Sequence, residues 1–206
     1  MIYRLRHRTT YSYEVPVTYA RCILRLIPLS SPTQTLLEHA VSVTPRPSQR
    51  TERAGPYGER ILMVVIEKPH KALVIEGRSR VDVHPRPLPE PSASPPWEQV
   101  RTLSYQTAGF GPDDPSGFLY PTARTPLVPA ITDYARSSFP PGRPIAEAAA
   151  ELMTRIRREF TYDPKATEVS TPAIEAFKVR RGVCQDFAHI MISGLRGRPG
   201  GGMVRR

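Results

Sequence analysis

The sequence predicts an α+β protein in which an N-terminal antiparallel β-sandwich-like domain precedes a mainly helical region. In residues 1–84 apolar and polar side chains alternate, which is typical of half-buried strands. From Pro144 onward apolar residues recur every three or four positions, which is typical of helices packed on one face. A chain of 206 residues is long enough to bury a sizeable core.

Turn residues divide the alternating region into about five strands. Pro28 and Pro45 close two of the runs, and a Gly-Pro-Tyr-Gly turn at 55–58 precedes a run that is apolar on both faces and therefore predicts a central strand. The predicted strands cover residues 3–13, 19–27, 37–44, 61–66 and 73–83. Several short strands separated by turns favour a small sandwich or barrel over residues 1–84.

The pattern changes after residue 84. Six prolines in residues 85–96 predict an extended linker, and residues 97–143 read as a loop-rich connector with one short helix near 130–137. A helix is predicted from Pro144 to Asp163-Pro164, and a second one with Thr171 as N-cap and Pro172 at its first position. Residues 144–195 form the predicted core segment, and residues 196–206 a flexible tail.

Composition excludes several classes of function. Two cysteines are too few for a disulfide framework, and histidines and cysteines do not occur at metal-ligand spacing, so neither metal nor cofactor is expected. The net charge of +10 comes from scattered arginines with no basic run and no interleaved aromatic residues, which argues against nucleic-acid binding. No run is long and apolar enough to span a membrane and no signal peptide is evident, so we expect a cytoplasmic protein.

The segment around Cys184 is the most informative part of the sequence. After Cys184 apolar residues follow at helical spacing, so a helix is predicted to begin at or beside this cysteine. Unpaired backbone N–H groups and the positive end of the helix dipole favour a thiolate there, and the same groups could bind an oxyanion. The alternative is a cysteine that simply packs, as is expected of Cys22. His189 fits a structural role better than that of a general base, because about 7.5 Å of helical rise separates it from the thiol. Asp186, two positions after Cys184, points to the opposite side of the helix and also fits a structural role.

Residues 180–189, Arg-Arg-Gly-Val-Cys-Gln-Asp-Phe-Ala-His, closely resemble the nucleophile motif of bacterial transglutaminase-like proteins, a papain-like cysteine superfamily. The match continues upstream through 160–164, 166–167 and 171–172. The β-rich region resembles the N-terminal region of the same proteins at 7–13, 16–17, 24–28 and 68–70. The resemblance implies a transglutaminase-like core with Cys184 as the nucleophile.

Relatives of this kind carry a Cys-His-Asp triad that transfers or hydrolyses acyl groups from glutamine or other amide side chains of a protein or peptide substrate. Only 22 residues follow Cys184, and the histidine and aspartate that the family places further along are missing. The resemblance therefore implies a core that is incomplete and inactive as it stands. A non-catalytic binding module or pseudoenzyme is the alternative.

The tail supports the same expectation. Residues 197–206 lack the helical pattern and are rich in glycine, proline and arginine, which suggests a frameshift or premature stop in a longer enzyme. A natural flexible terminus is the alternative, because it would have a similar composition. Without the sheet that such a core provides, the apolar residues of the last helix should lack partners. These residues are Phe187, Ile190, Met191 and Leu195.

Overall fold

The structure is a computed structural model that describes residues 1–87, 89–106, 109, 111 and 114–197. The chain forms two compact units, one of residues 1–88 with 111–113 and the other of residues 89–110 with 114–206. Each unit has its own apolar core.

The first unit is a sandwich of two three-stranded antiparallel sheets, as the alternation predicted. Its strands are β1 (Ile2–Val17), β2 (Ala20–Leu24), β3 (Gln34–Thr44), β4 (Gln49–Ala54), β5 (Arg60–Ile66) and β6 (His70–Val83). One sheet has the order β1-β6-β3 and the other β2-β5-β4. The core lies between them and joins Leu73 and Ile75 of β6 to Leu62, Val64 and Ile66 of β5.

Two strands differ from the sequence prediction because they are sheet edges. β1 alternates as predicted, but it is not half-buried along its length: Tyr3, Leu5 and Tyr11 are 46, 49 and 47% exposed. An edge strand has a neighbour on one side only, so alternation identifies the strand without establishing that it is covered. β4 was not predicted, because its six residues are all exposed and carry no apolar period.

The second unit is mainly helical. Its elements are α1 (Trp97–Gln106), α2 (Pro129–Arg136), α3 (Ile145–Glu159), β7 (Thr161–Tyr162), α4 (Ala173–Val179), β8 (Arg181–Gly182) and α5 (Cys184–Arg196). Its core includes Ile131 of α2, Leu152 and Ile156 of α3, Phe177 of α4 and Ile190 of α5.

The helices confirm most of the predicted pattern and correct parts of it. α2 and α5 lie where the sequence places them, whereas α3 is shorter than predicted: Pro144 is its N-cap, and it ends at Glu159 because the chain becomes extended at Phe160 and enters β7. α1 falls in the predicted loop-rich connector, and it escaped prediction because none of its residues is buried. Pro172 is the N-cap of α4 rather than its first residue, and a short 3-10 turn at Pro91–Ala93 interrupts the predicted linker.

No helix in the described part of the chain is long and apolar enough to span a membrane. The predicted tail begins at residue 196, and Arg196 still belongs to α5. Residues 198–206 lie outside the described residues.

Candidate active site

Cys184 is the first residue of α5, and its side chain is exposed. The preceding Val183 is extended, with φ −114° and ψ 177°, so the chain turns into the helix directly at the cysteine. The prediction that a helix begins at or beside Cys184 is confirmed. Backbone N–H groups in the first turn of a helix have no intrahelical acceptor and point outward from its N-terminal end, where Cys184 lies.

Asp186 fixes this helix start from inside the protein. Its side chain is buried, and Oδ2 accepts hydrogen bonds from the Val183 backbone N–H at 2.8 Å and from the Thr167 hydroxyl at 2.6 Å. The first bond satisfies a backbone donor just before the helix. A negatively charged carboxylate in the first turn also interacts favourably with the positive end of the helix dipole. Asp186 therefore holds the segment that carries Cys184 and ties it to the loop before α4.

Gly182 is required here by space rather than by backbone conformation. A Cβ at this position would lie 2.6 Å from Asp186 Oδ2 and 3.0 Å from Asp186 Cβ. Any side chain at 182 would therefore push against the buried carboxylate that organises the helix start.

A two-stranded parallel ladder holds the chain just before Cys184. β8 pairs with β7, and the Asp163 N–H donates to the Gly182 carbonyl at 2.8 Å. Arg181 and Asp163 form an ion pair at 2.7 Å across the same ladder. On the other side of the cysteine, the Gln185 amide donates to the Val169 carbonyl at 3.3 Å.

Arg180 anchors this ladder in the aromatic core. Its guanidinium carbon lies 4.3, 4.5 and 4.7 Å from the ring centroids of Phe177, Phe160 and Tyr134. Its backbone is left-handed, with φ 55°, an uncommon conformation for a residue other than glycine. Because the Arg180 carbonyl accepts the Thr161 N–H at 2.9 Å, the strained residue also begins the β7–β8 pairing.

Glu159 compensates part of the positive charge at this aromatic cluster. Its carboxylate lies 4.0 Å from Arg180 Nη1 and 3.6 Å from Arg155 Nε. Partial burial opposes ionisation, but the Tyr134 hydroxyl and the Arg158 and Arg155 guanidinium groups outweigh it and lower the pKa of Glu159. Burial, with the Glu159 carboxylate, raises the pKa of Tyr134.

α5 presents an exposed apolar stripe that begins at the thiol. Cys184, Ala188, Ile192 and Leu195 are all exposed and recur at the spacing of one helix face. The predicted loss of partners is therefore only partly correct. Ile190 is buried in the helical core, and Phe187 and Met191 pack against it, whereas Leu195 is 43% exposed.

Within the described part of the second unit, no element other than α5 contains a histidine that could approach the thiol. His189, the only histidine in the sequence after residue 84, lies on α5 itself, five positions after Cys184. Cys22 is half-buried beside the sandwich core, and burial raises the pKa of its thiol. No group of metal-ligating side chains occurs among the described residues.

One cavity of the second unit lies near the C-terminal end of α5, away from Cys184. It has a volume of about 240 Å³, and its lining includes Trp97 of α1, Leu195 of α5 and Phe139, which follows α2. Cys184 does not line this cavity.

The site is thus an exposed cysteine at the start of a helix that packs on the helical core, held in place by a buried carboxylate and a short strand pair. Comparison with known families agrees. Residues 3–82 match the bacterial transglutaminase-like N-terminal region, and residues 132–198 match the transglutaminase-like superfamily. Both regions of the chain thus match transglutaminase-like family models, as the sequence resemblance predicted.

The relatives found by sequence are uncharacterized proteins of mycobacteria. One from Mycobacterium tuberculosis strain ATCC 25618 / H37Rv is 34% identical over 197 residues, which is 94% of this chain and 61% of the relative. One from Mycobacterium leprae is 30% identical over 198 residues, which is 94% of this chain and 66% of the relative. The chain thus spans less than two thirds of the length of these relatives.

A solved structure shares the fold. It is a Cytophaga hutchinsonii protein described as a "Putative Cysteine Protease", with a TM-score of 0.68 and 18% identity, and the match covers 95% of this chain and 65% of that one. The α+β fold predicted from the sequence is confirmed.

Proposed function

We propose that this chain carries the nucleophile of a thiol-dependent enzyme that transfers or hydrolyses acyl groups from glutamine or other amide side chains of a protein or peptide. The observation that carries the proposal is the exposed Cys184 at the N-terminus of α5, fixed from behind by Asp186. The match to the transglutaminase-like superfamily supports the reaction class.

In the proposed reaction the Cys184 thiolate attacks the amide carbonyl carbon and forms a C–S bond. Backbone N–H groups in the first turn of α5 stabilise the oxyanion of the tetrahedral intermediate. The C–N bond then breaks, the departing nitrogen takes up a proton and leaves as ammonia, and a thioester remains on Cys184. Water or an amine releases the acyl group and returns the thiol.

The one histidine after residue 84, His189, lies on the same helix as the thiol, which leaves the general base unassigned. We propose that a histidine and an aspartate lie in the part that the longer relatives possess in addition, and that this part packs on the apolar stripe of α5. The stripe supports the proposal because it runs from Cys184 to Leu195 without a break in its apolar character. By itself the chain is expected to have a reactive thiol but no turnover.

The first test compares the two cysteines with a chloroacetamide probe shaped like a glutamine side chain. Cys184 is exposed, whereas burial disfavours the Cys22 thiolate, so we expect Cys184 to label at least about tenfold faster at pH 7.5. The matched variants Cys22→Ser and Cys184→Ser leave one thiol each, and mass spectrometry follows the adduct. Equal rates in the two variants would contradict the proposed nucleophile.

The alternative is a binding module without chemistry, which the position of His189 on the same helix as the thiol favours. Ammonia release from a glutamine peptide separates the two functions. We expect release when the chain is mixed with the part of the M. tuberculosis relative that it does not match, and none with Cys184→Ser. A preferentially labelled Cys184 in a mixture that binds the peptide without releasing ammonia would favour the alternative.

A further inference from the structure

The outer edge of β1 is an unusual surface. β1 is 16 residues long and lies at the edge of its sheet, and no strand in the described part of the chain pairs with its other side. Such an edge leaves the N–H and C=O groups of every second residue without strand partners. A long exposed edge is a template for another strand, unless charge prevents the pairing.

The two faces of this edge differ sharply in chemistry. Arg4, Arg6 and Arg8 point to one face, and Tyr3 and Leu5 point to the other. All five residues are exposed. An incoming strand would therefore meet positive charge at alternate positions and apolar surface at the positions between them.

On the side of the sheet that is already formed, two of these arginines lie opposite other arginines, of which Arg80 is paired with Glu38 at 2.9 Å. Arg4 lies directly opposite Arg80, and Arg6 directly opposite Arg78. Like charges opposite each other on neighbouring strands are destabilising. Arg6 and Arg78 both bond to Glu76, at 2.7 and 2.6 Å, so this carboxylate already serves two guanidinium groups.

Two of the three arginines have no such compensation. No described carboxylate lies within 4 Å of Arg4 or Arg8, although Arg8 is paired in register with Glu76. Acidic side chains on an added strand would stand directly opposite these guanidinium groups, at the distance of ordinary cross-strand pairs.

We propose that the β1 edge binds an extended peptide segment with alternating acidic and apolar side chains, which adds to the sheet as a further strand next to Tyr3–Arg8. Backbone hydrogen bonds supply the pairing, and the two faces of β1 select the sequence pattern. Acidic residues of the segment face the arginines, and its apolar residues cover Tyr3 and Leu5.

A second copy of this chain fits the edge less well. In a two-fold symmetric pairing of two β1 strands, each residue faces a residue of the same parity, so a pairing centred on Arg6 would place Arg4 opposite Arg8 and Arg6 opposite its own copy. The same arginines that attract an acidic segment thus keep two copies apart. An acidic partner satisfies the exposed charge, whereas self-association adds to it.

The test uses fluorescence anisotropy with labelled ten-residue peptides of glutamate and valine. We expect the strictly alternating peptide to bind at 50 mM salt and a peptide of the same composition in two blocks to bind at least about tenfold more weakly, because only the alternating one matches both faces. Replacing glutamate by lysine should abolish binding. Equal binding of the alternating and block peptides would overturn the proposal in favour of unspecific charge attraction.

Backbone pairing is tested by methylating the peptide nitrogens. A strand added at an edge uses only one of its two sides, so methylation of all valine nitrogens and methylation of all glutamate nitrogens should have unequal effects. We expect one of these peptides to lose binding and the other to retain most of it. If both bind like the parent peptide, strand addition is wrong.

Matched variants locate the surface. Arg4→Gln with Arg8→Gln removes two charges from the edge, and Arg53→Gln with Arg157→Gln removes two exposed charges elsewhere. We expect the Arg4 and Arg8 variant to bind about tenfold more weakly, because it loses two cross-strand ion pairs with the peptide. The Arg53 and Arg157 variant should bind almost as well as the unchanged protein. If no peptide binds and the first pair makes the chain dimerise, the arginines only guard the edge and the proposal fails.

Discussion

Substitution of Arg180 gives a prediction in which side-chain and backbone effects have opposite signs. The guanidinium stacks on three rings at 4.3 to 4.7 Å, and its side chain is 39% exposed. A cation–π contact contributes about 0.5–1 kcal/mol at exposed sites and about 2 kcal/mol when desolvated, so removal of this cluster should cost about 1–2 kcal/mol. Arg180→Ala loses these contacts and keeps the left-handed backbone, so it should lose the full amount.

Arg180→Gly loses the same contacts but relieves the backbone. A left-handed conformation costs a residue with a Cβ roughly 1–2 kcal/mol, and glycine avoids this cost. At an ordinary helix position glycine is about 1 kcal/mol worse than alanine. At position 180, where φ is 55°, we expect the order to reverse, with the glycine variant about 1 kcal/mol more stable than the alanine variant.

Urea unfolding followed by tryptophan fluorescence measures these differences. Trp97 is the only tryptophan and lies in the helical unit, so its signal reports on the unit that contains Arg180. Arg181→Ala is the matched control, because it removes an exposed ion pair beside a backbone of ordinary conformation and should cost no more than about 1 kcal/mol. A glycine variant less stable than the alanine variant would refute the assignment of strain to Arg180.

Two further predictions concern the neighbours of this residue. Gly182→Ala should destabilise the helical unit by about 1–3 kcal/mol and slow the labelling of Cys184, because the new methyl group collides with the buried Asp186 carboxylate; a neutral effect in both assays would show that the helix start tolerates displacement. The lowered pKa of Glu159 means that its contribution to stability is present above its unfolded pKa of about 4.3 and is lost as the pH falls through the lower folded value. Urea midpoints measured from pH 7 to pH 3 should therefore converge for the wild type and Glu159→Gln as the pH falls, and a constant difference would contradict this linkage.

The sequence predicted the elements that have a strong apolar period. α5 was placed correctly because Phe187, Ile190 and Met191 recur at helical spacing directly after Cys184. α1 and β4 were missed because neither has a buried residue, so neither shows the apolar periodicity on which the prediction depends. The alternation of β1 identified the strand correctly, but the expectation that one face of this strand is buried was wrong.

The details that position Cys184 were mostly out of reach of sequence reasoning. Arg180 contacts aromatic rings from three separate segments of the chain, and no local sequence pattern predicts such contacts. The role of Asp186 left one signal, an acidic residue at the third position of the helix, which is typical of a carboxylate that accepts the N–H before it. The close approach of Gly182 to that carboxylate follows only once the chain is folded.

The residues that fix Cys184 all lie before it or within its own helix turn. Arg180 begins the β7–β8 ladder, Gly182 allows the buried carboxylate to approach, and Asp186 closes the helix start. None of these contacts involves the apolar stripe on the opposite, exposed side of α5. Positioning of the thiol therefore does not depend on this stripe, which in the proposed function is where the added part packs and supplies the base. Thiol labelling and ammonia release should accordingly respond to different substitutions: changes at 180, 182 or 186 should affect both, whereas polar substitutions at Ile192 or Leu195 should abolish only the ammonia release that depends on the added part.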